Sequence, residues 1–438
     1  MKQALAILCL SIMYLSSDAQ FFDRIKNKVN QKVNDAVDKG IDSATKGKKG
    51  KSAKTAADST ATKTTDPVTG KAIDPVTGKA GDAAAGVGLG QQPEDIKAYS
   101  KFDFVPGEKI IVAEDFSRDA IGEFPDKWNT KTAAEVVTLN NRPGKWLCMK
   151  QDGEFFPEYI PQLPENFTLQ VDLLTNNNVS SIASLIVTLG NAKDAQEKFD
   201  MAHGTGSMNV PGLKISLTPV SSGDATFAYY TQPLGGTSMA SPNEFHVPDH
   251  NFVTLSVWRQ KTRIRVYLNS TKMLDLPRAL DPGTLINSLA FGAYAVDYGK
   301  KGGSFYLSNI RLSVGAPDTR NKLITEGKFV THGILFDVNS DQIKAPSYGA
   351  LQDIANALIA NPAVHVKIVG HTDSDGDDAA NLDLSRKRAE AVKAMLVANF
   401  NIDAARMTTE GKGETQPIDN NTTPEGKANN RRVEFIKG

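Results

Sequence analysis

Two hydrophobic patterns follow one another along this chain, and each predicts a fold of its own. Between about Ile110 and Val314, apolar residues alternate with polar ones or fall in short apolar runs broken by Gly, Pro and Asn. From Leu323 onward, strand-like runs alternate with stretches in which apolar residues recur at helical spacing. A period of two places successive side chains on opposite faces of a strand, whereas a period near 3.6 gathers them on one side of a helix. The first segment therefore predicts an all-β fold and the second an α/β fold. At 438 residues the chain is long enough for both, and a multidomain protein is expected.

In the β segment, bounded at residues 101–316, strand-like runs cover Glu135 to Leu139, Phe167 to Leu174, Ile182 to Leu189 and Phe252 to Trp258. The run Phe252 to Trp258, a polar turn over Arg259 to Thr262, and the run Arg263 to Leu268 predict a hairpin. The run Gly303 to Leu312 closes the region. This patterning resembles the concanavalin-like or laminin-G-like jelly-roll sandwiches. A transmembrane barrel competes, but its strands should alternate over roughly ten residues between paired aromatic girdles, and the aromatics here are not so paired. Trp128, Trp146, Tyr229 and Tyr230 supply candidate stacking faces for a glycan, against the plainer expectation of core packing. A glycosidase needs two carboxylates flanking the scissile bond. The nearest cluster, Glu114, Asp115, Glu123 and Asp126, lies among turn residues and reads as solvated loop charge.

The N-terminal residues point to export. Lys2, an apolar run from Ala4 to Leu15 and small residues before Gln20 have the layout of a secretory signal over 1–19, cleaved after Ala19, and the run is too short to span a bilayer. Cys9 lacks the small residue expected just before a lipidated cysteine. Residues 20–45 place Phe21, Phe22, Ile25, Val29, Val33, Val37 and Ile41 on one face of an amphipathic helix, fit for a membrane surface, a partner helix or only a marginal helix. Residues 46–100 are rich in Ala, Gly, Lys, Thr and Ser and repeat the run Asp66 to Ala72 at Asp74 to Ala80, so a disordered, flexible linker is expected. Fifty basic residues balance fifty acidic ones, which removes any global attraction to nucleic acid or anionic lipid. Once the signal is removed, Cys148 alone remains, which permits no internal disulfide and reads as a buried apolar residue.

From Leu323 the predicted elements are a strand at Gly333 to Phe336, a helix from Ser347 to Ala360, a strand from Val364 to Val369, a helix from Leu384 to Asn399 and a strand from Arg432 to Ile436, a βαβαβ pattern. The helix stripe is Ala350, Leu351, Ile354, Ala355, Leu358 and Ile359. Set on these elements are Phe336-Asp337, Val369-Gly-His-Thr-Asp373, Asn381, Leu384-Ser385, Arg388-Ala389 and Asn430-Arg-Arg-Val-Glu434. In order and spacing they resemble the OmpA-like peptidoglycan-binding domain, over 323–438.

The resemblance implies that the module grips the diaminopimelate of the wall peptide, whose free end carries an ammonium and a carboxylate. It assigns Asp373 to the ammonium and Arg388 to the carboxylate, with Thr372, Asn381 and Leu384 shaping the loop or donating through the backbone, and with Asp337 and Arg432 as further members of structural character. If the second helix begins near Asp383 to Ser385, Arg388 falls in its first turn, among backbone N–H groups that also favour an anion. The competing expectation is that Asp373 and Arg388 pair with each other or cap the helix. His371 has no nucleophile placed beside it by any motif and reads as a packing residue. The acidic run from Asp373 to Asp378 departs from an EF-hand at Asp378 and Leu384. The expectation is therefore a non-catalytic protein of the periplasm, cell wall and outer membrane, with no metal or cofactor and no nucleic-acid partner. Its ligand is peptidoglycan, and its sandwich is left to meet envelope proteins or glycans. A carbohydrate-binding or carbohydrate-active sandwich is the alternative.

Overall fold

The structure, a computed structural model, describes residues 102–438 apart from 220–225, 241–243, 300 and 316–318. The signal, the amphipathic helix and the linker expected before residue 101 lie outside the described residues.

The β-rich region builds fifteen strands. They are β1 (Lys109–Glu114), β2 (Trp128–Thr130), β3 (Ala134–Thr138), β4 (Lys145–Met149), β5 (Gly153–Pro157), β6 (Asn166–Thr175), β7 (Ser184–Gly190) and β8 (Gly212–Thr218). After them come β9 (Thr226–Gln232), β10 (Gly235–Ala240), β11 (Phe252–Gln260), β12 (Arg263–Leu268), β13 (Thr271–Leu276), β14 (Ser288–Tyr294) and β15 (Phe305–Val314). One antiparallel sheet runs β13-β12-β11-β6-β15-β4-β3, with β1 also on β15, and the other runs β10-β9-β8-β7-β14-β5-β2. The two sheets share one core: Leu169, Val171 and Leu173 of β6 meet a cluster that includes Leu185, Val187 and Leu189 of β7 and Phe291 of β14, all 3% exposed or less. Burying each such side chain contributes about 1.5–3 kcal/mol. The expected hairpin is present as β11–β12, paired from Leu255↔Leu268 to Gln260↔Arg263. Cys148 is buried and free.

Alternation along β6 turns Thr168, Gln170 and Asp172 to the outer face of its sheet, yet they are only 2–6% exposed. Their cover comes from elsewhere in the chain. Thr168 Oγ1 accepts from Gly107 N (3.0 Å), and Asp172 accepts from Thr254 Oγ1 (2.6 Å) and Asn309 Nδ2 (2.9 Å) and stands 3.9 Å from Lys344 Nζ. Residues 102–107 lie along this face, with Phe104 edge-on to Trp258 and Tyr267. The opposite sheet is covered by α1 (Ala195–Ala202), whose Phe199 and Met201 pack with Phe156, Met208 and Ala290.

The C-terminal module follows in the order β16 (Lys328–Thr331), α2 (Tyr348–Ile359), β17 (Val366–Gly370), α3 (Asp378–Phe400), β18 (Met407–Gly411), α4 (Pro424–Asn430) and β19 (Val433–Lys437). Its sheet runs β16-β19-β17-β18, with β17 and β18 parallel and the other pairs antiparallel. Leu351, Ile354 and Leu358 of α2 and Ala389, Val392 and Leu396 of α3 pack on Phe329, Ile368 and Phe435 of the sheet.

Two expectations are corrected here. No strand forms at Gly333 to Phe336: the ladder lies earlier, at β16, and Leu335 is instead held by Ser347 Oγ (2.9 Å) and Lys344 N (2.8 Å). The second helix starts at Asp378, because Asp377 caps it by accepting from Ala379 N and Ala380 N. Strand β18 and helix α4 are additions to the expected βαβαβ pattern.

The β-rich region and the module belong to one compact unit, Ile96–Gly438. Asn429 of α4 pairs with the backbone of β1 through both amide atoms, Oδ1 accepting from Ile110 N and Nδ2 donating to Ile110 O, each at 2.9 Å. Lys322 bridges to Glu108 (2.6 Å). At Gly349 of α2 an added Cβ would stand 2.1 Å from Phe104 O, so the entry segment touches the helix backbone itself.

Candidate functional site

The β17 strand ends at Gly370, where an added Cβ would meet Ser385 O of α3 at 2.1 Å. That close approach brings the residues after β17 against α3. Together with the loop after β16 they line a cavity of about 270 Å³. It is bordered by Asp337, Thr372, Asp373, Asn381, Leu384, Arg388 and Arg432, so the residues singled out from the sequence converge on one place. Ile110, Asp115, Asn309 and Arg311 border it from the sandwich side.

Asp373 is 6% exposed. Its Oδ2 is ion-paired with Arg431, and its Oδ1 accepts from Asp375 N (3.2 Å). Arg388 donates from Nε to Ser340 O (2.9 Å) and from Nη2 to Asp337 O (3.3 Å), with its guanidinium 4.9 Å from the centre of the Phe336 ring. Burial pushes its pKa down to about 10, and neighbouring Arg431 adds to this while Asp373 opposes it, so it remains a cation at neutral pH. Asp373 and Arg388 therefore share a cavity without pairing with each other. Because α3 begins at Asp378, Arg388 lies about three turns inside it. The expected help from free N–H groups of the first turn is thus corrected: that turn is capped by Asp377, well before Arg388.

Asn381 is a loop organiser, its Nδ2 donating to Asp375 O (3.0 Å), Glu414 Oε2 (2.7 Å) and, at 3.4 Å, Asp373 O. Thr372 donates its backbone N–H to Gly413 O (2.9 Å), while its buried hydroxyl has no hydrogen-bond partner. Leu384 is half-buried at the rim. The Asp337 carboxylate is largely exposed, 3.8 Å from Lys344, and only its carbonyl touches Arg388. Arg432 is structural: it is 4% exposed and bonds Glu434 Oε1 (2.9 Å from Nε), Asn430 O and Gln416 O. Burial pushes the Glu434 carboxyl up, but His371, Lys328 and Arg432 outweigh it and hold it well below the usual carboxylate range. His371 is buried with neither ring nitrogen hydrogen-bonded, 3.7 Å from Glu434.

Sequence reasoning missed Arg431, the partner of Asp373. A usable signal was present: Arg431 stands inside the Asn430 to Glu434 motif that carries the resemblance. In the sandwich, Trp128 and Trp146 are 7% and 2% exposed, so they are core residues and offer no stacking surface, while Tyr229 and Tyr230 are half-buried. Glu114 accepts from Tyr159 Oη (2.6 Å) and Phe116 N (2.9 Å), and burial raises its pKa. Among the described residues no cluster suited to a metal ion is present, and no helix is long and apolar enough to cross a membrane.

The model of the OmpA family matches residues 335–431. Outer membrane porin F of Pseudomonas fluorescens is 42% identical over 101 residues, which is 23% of this chain and 31% of that protein. Outer membrane protein A of Bordetella avium is 43% identical over 100 residues, 23% of this chain and 51% of that protein. The chain thus spans 31% and 51% of the length of these two relatives. The crystal structure of the peptidoglycan-associated lipoprotein from Burkholderia pseudomallei aligns with 28% of this chain and all of its own, at 27% identity and a TM-score of 0.24. On the family match and the motifs gathered around the cavity, the C-terminal module at residues 335–431 is an OmpA family domain joined to a β-rich region.

Proposed function

We propose that this chain is a non-catalytic envelope protein that holds peptidoglycan non-covalently and ties its sandwich, of jelly-roll type, to the cell wall. The ligand is the dipolar end of diaminopimelate. Its carboxylate is taken by Arg388 and its ammonium by Asp373, whose ionised carboxyl accepts more than the two bonds it already makes. Thr372 brings an unpartnered hydroxyl to the same cavity. The observation that carries this reading is Arg388: a half-buried cation in a cavity, held by two carbonyls and a ring face, with no carboxylate of its own among the described residues. Such a group is costly to bury unpaired and gains most from an incoming anion. The protein then works beyond the inner membrane, in the periplasm against the wall and outer membrane, with the sandwich available to envelope proteins or glycans.

Each charge-assisted hydrogen bond contributes about 1.5–3 kcal/mol, or roughly 10- to 100-fold in affinity. Co-sedimentation of the full chain with purified sacculi tests the assignment. Asp373→Asn and Arg388→Ala are each expected to weaken it by at least tenfold, with thermal unfolding used to identify the variants that keep the parent's fold. Parent-like sedimentation of both variants refutes the site.

A further inference from the structure

The cavity lining carries four acids, Asp115, Asp337, Asp373 and Asp375, and four arginines, Arg311, Arg388, Arg431 and Arg432, but these are not all paired with one another. Asp373 is matched by Arg431, Asp375 by Lys427 and Arg432 by Glu434. Arg388 has no ion pair, and neither has Arg311, which comes from β15 of the sandwich and donates no side-chain hydrogen bond among the described residues. Arg311 reaches this position through a local irregularity. The pairing of β15 with β6 slips between Ser308 and Arg311, and Asn309 in the slip adopts a left-handed conformation, φ 52°. A bulge of this kind bends the strand and re-aims the next side chain. Asn309 is pinned in place by its bond to Asp172 (2.9 Å). A second cavity of about 330 Å³ continues along the seam, sharing Asp115, Asn309, Arg311, Asp375 and Arg431 with the first. Arg311 therefore stands where the two cavities meet. Burial pushes its pKa down to about 10, with Arg431 adding to this and the acids Asp172 and Asp115 opposing it, so it too is a cation at neutral pH.

We propose that the β-sandwich completes the ligand site: Arg311 binds a second carboxylate of the wall peptide, so that the ligand bridges the two modules. This rests on the diaminopimelate reading above. A cavity of about 270 Å³ lies just under the roughly 300–1,000 Å³ usual for small-molecule sites, enough for one head group but not for a whole peptide. The rest of the peptide must run along the seam, past Arg311. Two guanidiniums without an ion pair along the joined cavities select a ligand with two carboxylates over one with a single carboxylate.

The test is calorimetric titration of the full chain with a synthetic stem tripeptide ending in meso-diaminopimelate, which carries several free carboxylates. Arg311→Gln is expected to weaken binding about tenfold, Arg311→Lys to recover part of that loss, and Arg388→Ala to abolish binding. Thermal unfolding identifies variants that keep the parent's fold. Should Arg311→Gln disturb the fold, the parent is titrated instead with the same tripeptide amidated at its carboxylates outside the diaminopimelate end, and an affinity equal to that for the free tripeptide overturns the bridging site. Parent-like or tighter binding by a folded Arg311→Gln, with Arg388→Ala still inactive, overturns the bridging site and leaves the OmpA-like site standing. Unchanged binding in Arg388→Ala refutes the underlying reading, and the inference falls with it.

Discussion

Replacing Asn429 by alanine removes the only side chain that hydrogen-bonds to both backbone atoms of Ile110, among the described residues. Asn429 is 3% exposed and Ile110 likewise 3%. Water therefore has little access to the N–H and C=O left behind, which are spoken for at 2.9 Å each in the parent. A buried polar group stranded without a partner costs about 1–3 kcal/mol, so two of them give roughly 2–6 kcal/mol, with about 3 kcal/mol expected once the seam relaxes. At 2–4 °C per kcal/mol for a domain of about 150–250 residues, this lowers the unfolding midpoint by roughly 6–12 °C. Differential scanning calorimetry of the full chain measures it, and loss of the seam is also expected to split the transition into separate sandwich and module components. Asn429→Asp discriminates further. It keeps an acceptor for Ile110 N but sets a carboxylate oxygen against Ile110 O and Asp419, and is expected to be at least as destabilising as alanine. A midpoint within 1 °C of the parent for Asn429→Ala would mean that the amide bridge does not hold the two parts together.

Two further outcomes are expected at the same seam. Burial pushes the His332 pKa down from 6.5 to about 4, with Arg432 and Arg311 adding to this and the carbonyl of Asn429 opposing it. Between those values the unfolded chain binds more protons than the folded one, so stability present above pH 6.5 is lost as the pH falls toward 4, by about 3 kcal/mol. Urea unfolding at pH 7 and pH 4.5 should show a smaller acid loss in His332→Gln than in the parent, and equal losses would exclude the histidine as the cause. Gly349→Ala should lower stability by about 1–3 kcal/mol through overpacking against Phe104 O, although alanine favours a helix interior by roughly 1 kcal/mol. A stabilised variant would show that the entry segment does not rest on α2.

What the sequence made legible follows local rules. The β11–β12 hairpin could be read because alternation is strict on both sides of a short polar turn, and the ring around Asp373 because its motif residues stand at fixed offsets from strands and a helix. The start of α3 was also in reach: Asp377 followed by Asp378-Ala-Ala is a capping signal, and placing the helix later took Arg388 for a first-turn residue. The strand set at Gly333 to Phe336 failed for a non-local reason. That segment is held by Ser347 and Lys344 rather than by a neighbouring strand, and an apolar run does not show which partner it will find. The buried polar side chains of β6 mark another limit. Thr168, Gln170 and Asp172 look like a solvent face by alternation, and residues distant in sequence, Gly107, Thr254, Asn309 and Lys344 among them, pack over this face. Arg311 was invisible for the same reason, since its position depends on a slip in register and on a module that begins after residue 320.

The route by which residues 102–107 enter the fold sets how the molecule carries tension. Phe104 is clasped between Trp258 and Tyr267 on one side and the backbone at Gly349 on the other. If the module holds the wall as proposed, a pull entering at Phe102 reaches the joint between sandwich and module before any strand of either core. On that proposal the joint is the mechanical fuse of the tether, expected to yield before either core.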